Sequence, residues 1–311
     1  MAAGIGTAAA LGAARWAYGF AFKPHKERSR DPYQLPGGKQ YEHFKPAIYE
    51  SVEKLEKMPC EWVSIKSRDG LKLAGRYYHQ KDGAPLVLFF HGYRSPALRD
   101  FSGGFWIYRE LGYNILMPDQ RGHGQSEGEV ITLGIRERYD CVKWVDYCVE
   151  RFGPDVKILL GGISMGAATV LMAAELLQDC PNIKGILADC GYSTVEGIMK
   201  AVIKDMKLPV EPSWKLVKMG ARIFGAFDVN ESSAMESLRN NKIPVVFIHG
   251  EEDKYVPCRM TMENLEACAS AGTETEAFIV PEAGHGMSFY MDREGYYNTV
   301  VPFVKKVLNE Q

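Results

Sequence analysis

VKILLGGISMGAATVLM, residues Val156 to Met172, decides how this chain reads. Val156 to Leu160 is a short run, apolar apart from Lys157, the length of a buried parallel strand. Ala167 to Met172 is a good helix former, and a glycine-rich turn with Ser164 at its apex lies between them. The pattern Gly162-x-Ser164-x-Gly166 has a steric logic in this context. A serine held on a tight strand-to-helix turn needs small residues two positions to either side, where a side chain would meet the neighbouring strand or helix. Ser164 then stands at the C-terminal edge of a sheet, and the N–H of Met165 sits at a helix N-terminus, where developing negative charge is favoured.

Working outward, the same alternation recurs. Leu86 to Phe90 is an apolar strand ending in His91-Gly92-Tyr93, and Asn114 to Met117 ends in the polar run from Pro118 to Ser126. Ile183 to Ala188 ends at Asp189, Val245 to Ile248 at His249-Gly250-Glu251-Glu252-Asp253, and Glu276 to Val280 at Gly284-His285-Gly286. Helical patterns separate the strands at Phe101 to Leu111 and Arg136 to Arg151, and Tyr296 to Leu308 closes the chain. Glu61 to Ser67 and Leu71 to His79 alternate around Arg68-Asp69-Gly70 and read as an antiparallel hairpin. The expected fold is α/β, a doubly wound and mostly parallel sheet with an antiparallel edge. Each polar cluster follows a strand, where such sheets place their ligand sites. Between Ser193 and Asn241 the alternation lapses into helical patterns only, Val195 to Met206 and Trp214 to Phe224, which read as an inserted helical cap. The resulting division is a leader and linker over 1–45, a core over 46–192 and 242–311, and a cap over 193–241.

A serine hydroxyl needs a base to take its proton, and the base needs an acid to fix its tautomer. The chain order for this architecture is serine, acid, histidine. Asp253 and His285 each follow a strand downstream of Ser164 in that order, and His285 has backbone freedom between two glycines. Glu251, Glu252 and Asp189 are rival acids. His91, His123 and His249 fall in His-Gly turns and are assigned structural hydrogen bonds; His25, His43 and His79 read as surface residues. The second oxyanion donor is expected in the loop after the His91 strand, at the N–H of Tyr93. Asp119 and Arg121 read as an ion pair tying down their own loop.

Other chemistries find no pattern. A dinucleotide fingerprint, a phosphate loop and metal-type His/Cys spacing are all missing from the sequence, so neither cofactor nor metal is expected. Serine at the elbow, where a carboxylate would stand for attack on carbon, argues against dehalogenase or epoxide-opening chemistry. A formal charge of −2 over 311 residues gives no electrostatic reason for a nucleic-acid partner. The seven cysteines are scattered, and Cys141, Cys148 and Cys190 lie in apolar segments as small buried hydrophobes, which fits a reducing, cytoplasmic setting. Residues 2–22 are Ala/Gly-rich and apolar apart from Arg15, with Lys23, Lys26, Arg28 and Arg30 following. Two readings stand for them: a membrane anchor that leaves the body on the cytoplasmic side, or a surface or disordered leader.

The chain resembles the α/β-hydrolase superfamily, and within it the serine hydrolases of the bacterial YqkD type. The resemblance rests on His91 to Ser95 (HGYRS), Asp119 to Gly128 (DQRGHGQSEG), Gly162 to Gly166 (GISMG), His249 to Pro257 (HGEEDKYVP) and Gly284 to Gly286 (GHG). It implies Ser164 as nucleophile, His285 as base, Asp253 as acid, and the backbone N–H groups of Tyr93 and Met165 as the oxyanion hole. It further implies a small-molecule ester substrate, since such proteins include carboxylesterases and cinnamoyl or feruloyl ester hydrolases that differ in their caps. Thioesterase and peptidase chemistry use the same groups, and a non-catalytic binding protein on the fold is the third reading.

Overall fold

A computed structural model describes residues 2–25, 27 and 30–310, with side chains described from residue 8 onward. Lys26 and Arg28 of the basic cluster lie outside the described residues. Eight strands form one sheet in the order β1-β2-β4-β3-β5-β6-β7-β8. β1 (Glu61–Lys66) and β2 (Lys72–Tyr78) are the expected hairpin, and β2 runs antiparallel to β4 (Asn114–Pro118). From β4 onward every pairing is parallel, through β3 (Leu86–Phe90), β5 (Ile158–Ile163), β6 (Ile183–Asp189), β7 (Val245–Gly250) and β8 (Thr275–Val280).

β3 and β4 are buried along their whole length, because helices cover both faces of the sheet. One cluster joins Leu86, Leu88, Leu160 and Ile186 to α5 (Glu137–Phe152) and α6 (Met165–Leu177). The opposite cluster joins Val87, Phe89, Leu159 and Leu187 to α4 (Phe105–Glu110) and α12 (Arg293–Leu308). Alternate residues of each strand therefore feed alternate faces, the period-two signature of a sheet buried on both sides. Cys141, Cys148 and Cys190 are buried, as their apolar settings suggested.

The element boundaries differ from the sequence expectation where glycine was read as a breaker. β5 extends to Ile163, since Gly161 and Gly162 pair with Phe89 and Phe90 of β3 and leave room for close neighbours. The crossover helix expected at 101–111 forms only over α4, after a separate short helix, α3 (Ala97–Asp100), and a turn that contains Gly103 and Gly104. α9 (Ala234–Leu238), α10 (Arg259–Ala271) and α11 (Ser288–Met291) had no strong periodicity and went unread. The insertion after β6 holds α7 (Val195–Asp205) and α8 (Val210–Phe224), while α9 packs on α6 of the body.

Among the described residues, the N-terminal region carries two helices. α1 (Ala2–Phe22) lies along α8, and α2 (Lys39–Lys57) precedes the β1–β2 hairpin. No helix among the described residues is long and apolar enough to cross a membrane. The basic residues described after α1 face the body: Arg30 donates to the Gly124 carbonyl at 3.0 Å, and Lys23 lies 4.0 Å from Glu129.

Candidate active site

The turn between β5 and α6 holds Ser164 at φ 56 and ψ −116, a left-handed conformation that costs energy for a residue with a β-carbon. The surroundings fix it there. Its N–H donates to the Asp189 carbonyl at the end of β6 (2.8 Å), and its carbonyl accepts from Ala168 (3.0 Å). The flanking glycines are sterically required. A β-carbon on Gly166 would overlap the Phe90 carbonyl, and one on Gly162 would overlap the backbone of Gly166.

Three side chains converge at this edge. His285, in the loop after β8, has Nε2 at 3.0 Å from Ser164 Oγ. Its Nδ1 is 2.7 Å from Oδ2 of Asp253, which stands in the loop after β7. Asp253 accepts only, so Nδ1 carries the proton and Nε2 faces the serine as an acceptor. Burial alone would pull the His285 pKa down, but the Asp253 carboxylate outweighs it and the net shift is upward. Burial likewise opposes charge on Asp253, yet His285 and the hydrogen bonds around it hold its carboxyl far below the usual range. Its Oδ1 also accepts from the N–H groups of Tyr255 (2.8 Å) and Val256 (2.9 Å).

A fourth residue joins the set. His249 Nε2 lies 3.2 Å from Asp253 Oδ2 and 2.9 Å from the Val256 carbonyl, with Nδ1 at 2.6 Å from Thr261 Oγ1. A carbonyl can only accept, so Nε2 carries the proton and Nδ1 accepts from the threonine. The structural hydrogen bond expected of His249 thus falls on the acid itself. The other two His-Gly histidines buttress the loop after β3. His91 Nε2 accepts from Gln120 N–H (2.9 Å), and His123 Nε2 accepts from Arg94 N–H (2.9 Å). Burial lowers both pKa values, that of His123 to about 3, which keeps the rings neutral and able to accept.

The rival acids are elsewhere. Asp189 has its carboxyl pushed up to about 7 by burial, and its Oδ1 has no hydrogen-bond partner; its backbone carbonyl, rather than its side chain, holds Ser164. Glu251 and Glu252 are exposed. The expected Asp119–Arg121 pair is not formed. The chain leaves β4 at Asp119 and turns at Arg121, so Arg121 reaches Asp140 of α5 (2.6 Å) and Asp69 of the hairpin turn (2.9 Å), while Asp119 faces Arg76 at 3.5 Å. Cys190, Asp253 and His285 bring potential metal-ligating atoms within 4.8 Å of one another. Burial holds the Cys190 thiol well above its ordinary pKa, and the other two bind each other, so this group is not a ready metal site.

Ser164 and His285 open onto a cavity of about 370 Å³ that also touches Tyr93, Met165, Tyr255 and, from the insertion, Ile198 and Met199. It is lined as well by residues expected in the leader and linker, including Phe20, Ala21 and Tyr41. Tyr41 Oη donates to the His285 carbonyl, and Gln40 takes the Gly284 N–H (2.7 Å) while its amide donates to Glu282. Gly92 N–H donates to Asp100 Oδ2 at 2.7 Å, fixing the turn that presents Tyr93.

A parallel sheet with a strained serine elbow and a histidine at its C-terminal edge defines the α/β-hydrolase superfamily. The comparisons agree. The prolyl oligopeptidase (Peptidase_S9) family model matches residues 99–311, about two-thirds of the chain, and the chain belongs to this family as a hydrolase of the YqkD type. The Bacillus subtilis protein YqkD is 27% identical over 260 residues, 83% of this chain and 82% of its own length. Protein bem46 of Schizosaccharomyces pombe is 26% identical over 258 residues, 79% of this chain and 77% of its own. In fold, the chain matches the Pyrococcus furiosus esterase Pf2001 with a TM-score of 0.65 at 22% identity, over 89% of this chain and 98% of that one. Est1E from Butyrivibrio proteoclasticus, with ferulic acid bound, matches with a TM-score of 0.62 at 19% identity, over 80% and 100%.

Proposed function

We propose that this chain is a serine hydrolase that cleaves carboxylic esters through an acyl-enzyme. The observation that carries the reading is the relay from Ser164 through His285 to Asp253, opening onto a predominantly apolar cavity. His285 Nε2 takes the proton as Ser164 Oγ attacks the ester carbonyl, and Asp253 stabilises the imidazolium that forms. The oxyanion is met by the N–H groups of Tyr93 and Met165, the latter at the N-terminus of a 13-residue helix. The leaving alcohol takes the proton from His285. The same histidine then activates water, which releases the acid and regenerates the serine. Helices α7 and α8 act as the cap, with Ile198 and Met199 on the cavity side.

Peptidase chemistry is the second reading, favoured by the prolyl oligopeptidase family match. Both share the nucleophile, so the leaving group discriminates between them. Turnover of a nitrophenyl ester, the matching anilide and the matching thioester is the experiment. The ester reading expects cleavage of the ester with the anilide inert; efficient cleavage of the anilide would replace it with the peptidase reading, and dominance of the thioester with a thioesterase.

A further inference from the structure

The C-terminal end of α1 meets the candidate oxyanion loop through backbone carbonyls. A helix leaves its last carbonyls without intrahelical partners, and here those partners come from the active-site side of the body. Tyr93 Oη donates to the Ala21 carbonyl (2.9 Å), the Arg94 guanidinium donates to Phe20 (2.8 Å) and Lys23 (2.6 Å), and Ile131 N–H donates to Phe22 (2.8 Å). A guanidinium at this end also meets the negative pole of the helix dipole. The exchange works in both directions. Arg94 has φ 52, so its turn needs external restraint, and α1 supplies that restraint through the side chains of the two residues at its apex.

The helix is itself held firmly. It crosses α8 at Gly220, where a β-carbon would lie 2.6 Å from the Ala14 carbonyl. Ala14, Ala17, Tyr18, Ala21 and Phe22 are buried along the contact, the Arg15 guanidinium sits 5.0 Å over the Phe224 ring, and Phe22 stacks edge-on against Phe227. Phe20 and Ala21 then line the same cavity as Ile198, Met199 and Val202 of α7.

We propose that the last turn of α1 is a specificity and positioning element of the active site: Phe20 and Ala21 wall the space for the apolar chain of the ester, and the Tyr93–Arg94 clamp on the helix end holds the oxyanion N–H in line. This rests on the serine hydrolase reading above. Arg94 is a positioning residue, because its guanidinium acts on the helix end rather than on the substrate.

The test uses the full chain and two ester series, one varying the acyl chain from acetyl to octanoyl on nitrophenol and one varying the alcohol. Phe20 is 44% exposed, so Phe20→Ala leaves the core intact while opening the wall. Phe20→Ala is expected to raise the long-to-short ratio of kcat/KM in one of the two series, and Ala21→Leu to lower it in that same series, each by about tenfold, the scale of a methylene or two in an apolar pocket. Arg94→Ala should lower kcat about tenfold on every ester with KM nearly unmoved, since the displaced N–H acts in the transition state. Arg94→Lys should recover most of it by keeping a cation on the helix carbonyls. Ratios unmoved by both wall variants in both series overturn the wall, and wild-type kcat in Arg94→Ala overturns the clamp. In either case wild-type labelling by a fluorophosphonate shows that the hydrolase reading stands; a folded wild type that neither labels nor turns over ester overturns both.

Discussion

Two halves of the active site are built in different ways. The half at the strand ends, with Ser164, Asp253 and His285, is made of side chains set on turns that only certain sequences can form. The half from residues 2–57 works almost entirely through generic contacts: Tyr41 and Gln40 on the carbonyls and amide of the His285 loop, and the carbonyls of Phe20, Ala21 and Lys23 on the side chains of Tyr93 and Arg94. In the proposed mechanism the strand-end half supplies the reactive groups, and the N-terminal half holds and walls them. Removing one should abolish chemistry, whereas loosening the other should modulate it.

Ser164→Ala tests the sharper side of that contrast and carries the largest effect. Removing a serine nucleophile in such a set costs about 10⁶ in kcat, so ester turnover should fall to background while circular dichroism stays that of the wild type. Asp253→Asn should cost about 10⁴, the scale for losing the acid that fixes the histidine tautomer. It also has a pH signature. His285 must be neutral to accept the serine proton, and Asp253 raises its pKa, so the acid limb of the wild-type rate profile should lie above the ordinary histidine value. Without that carboxylate burial is opposed only by the weaker pull of Asp100 and Asp189, so in Asp253→Asn the residual activity should have its limb moved to lower pH; an unmoved limb would disconnect Asp253 from His285. Tyr41→Phe loosens the His285 loop from the N-terminal side and should lower kcat about threefold to tenfold, within the reach of a lost hydrogen bond of about 1 kcal/mol. A loss as large as that of Asp253→Asn would erase the contrast between the halves. The smallest effect on rate is expected from Gly220→Val, which presses on Ala14 and should appear first as about 1–3 kcal/mol of lost stability in a denaturant titration.

The same contrast explains what could be read from sequence. The doubly wound sheet was legible because continuous apolar strands ending in polar turns have few alternatives, and Ser164 because Gly162 and Gly166 leave a steric trace on either side. Asp253 and His285 followed from chain order and their places after β7 and β8. The role of α1 had no such trace. Its Ala/Gly composition, which suggested a weak membrane segment or a loose leader, is what lets it pack closely on Gly220 and Ala221 of α8. Its contacts to the Tyr93 loop use main-chain carbonyls, which every sequence possesses. Gln40 and Tyr41 were hidden in the same way, lying in a stretch read as linker. Asp119 and Arg121 show the opposite error: proximity in sequence suggested a pair, but the turn that begins at Arg121 sends the two side chains to separate partners.

The most direct test of the central claim is to label the protein with a fluorophosphonate and locate the adduct by mass spectrometry of the digested chain. One adduct on Ser164, absent from a folded Ser164→Ala, is the expected result. A folded wild type that stays unlabelled, or an adduct on any other residue, would contradict the account.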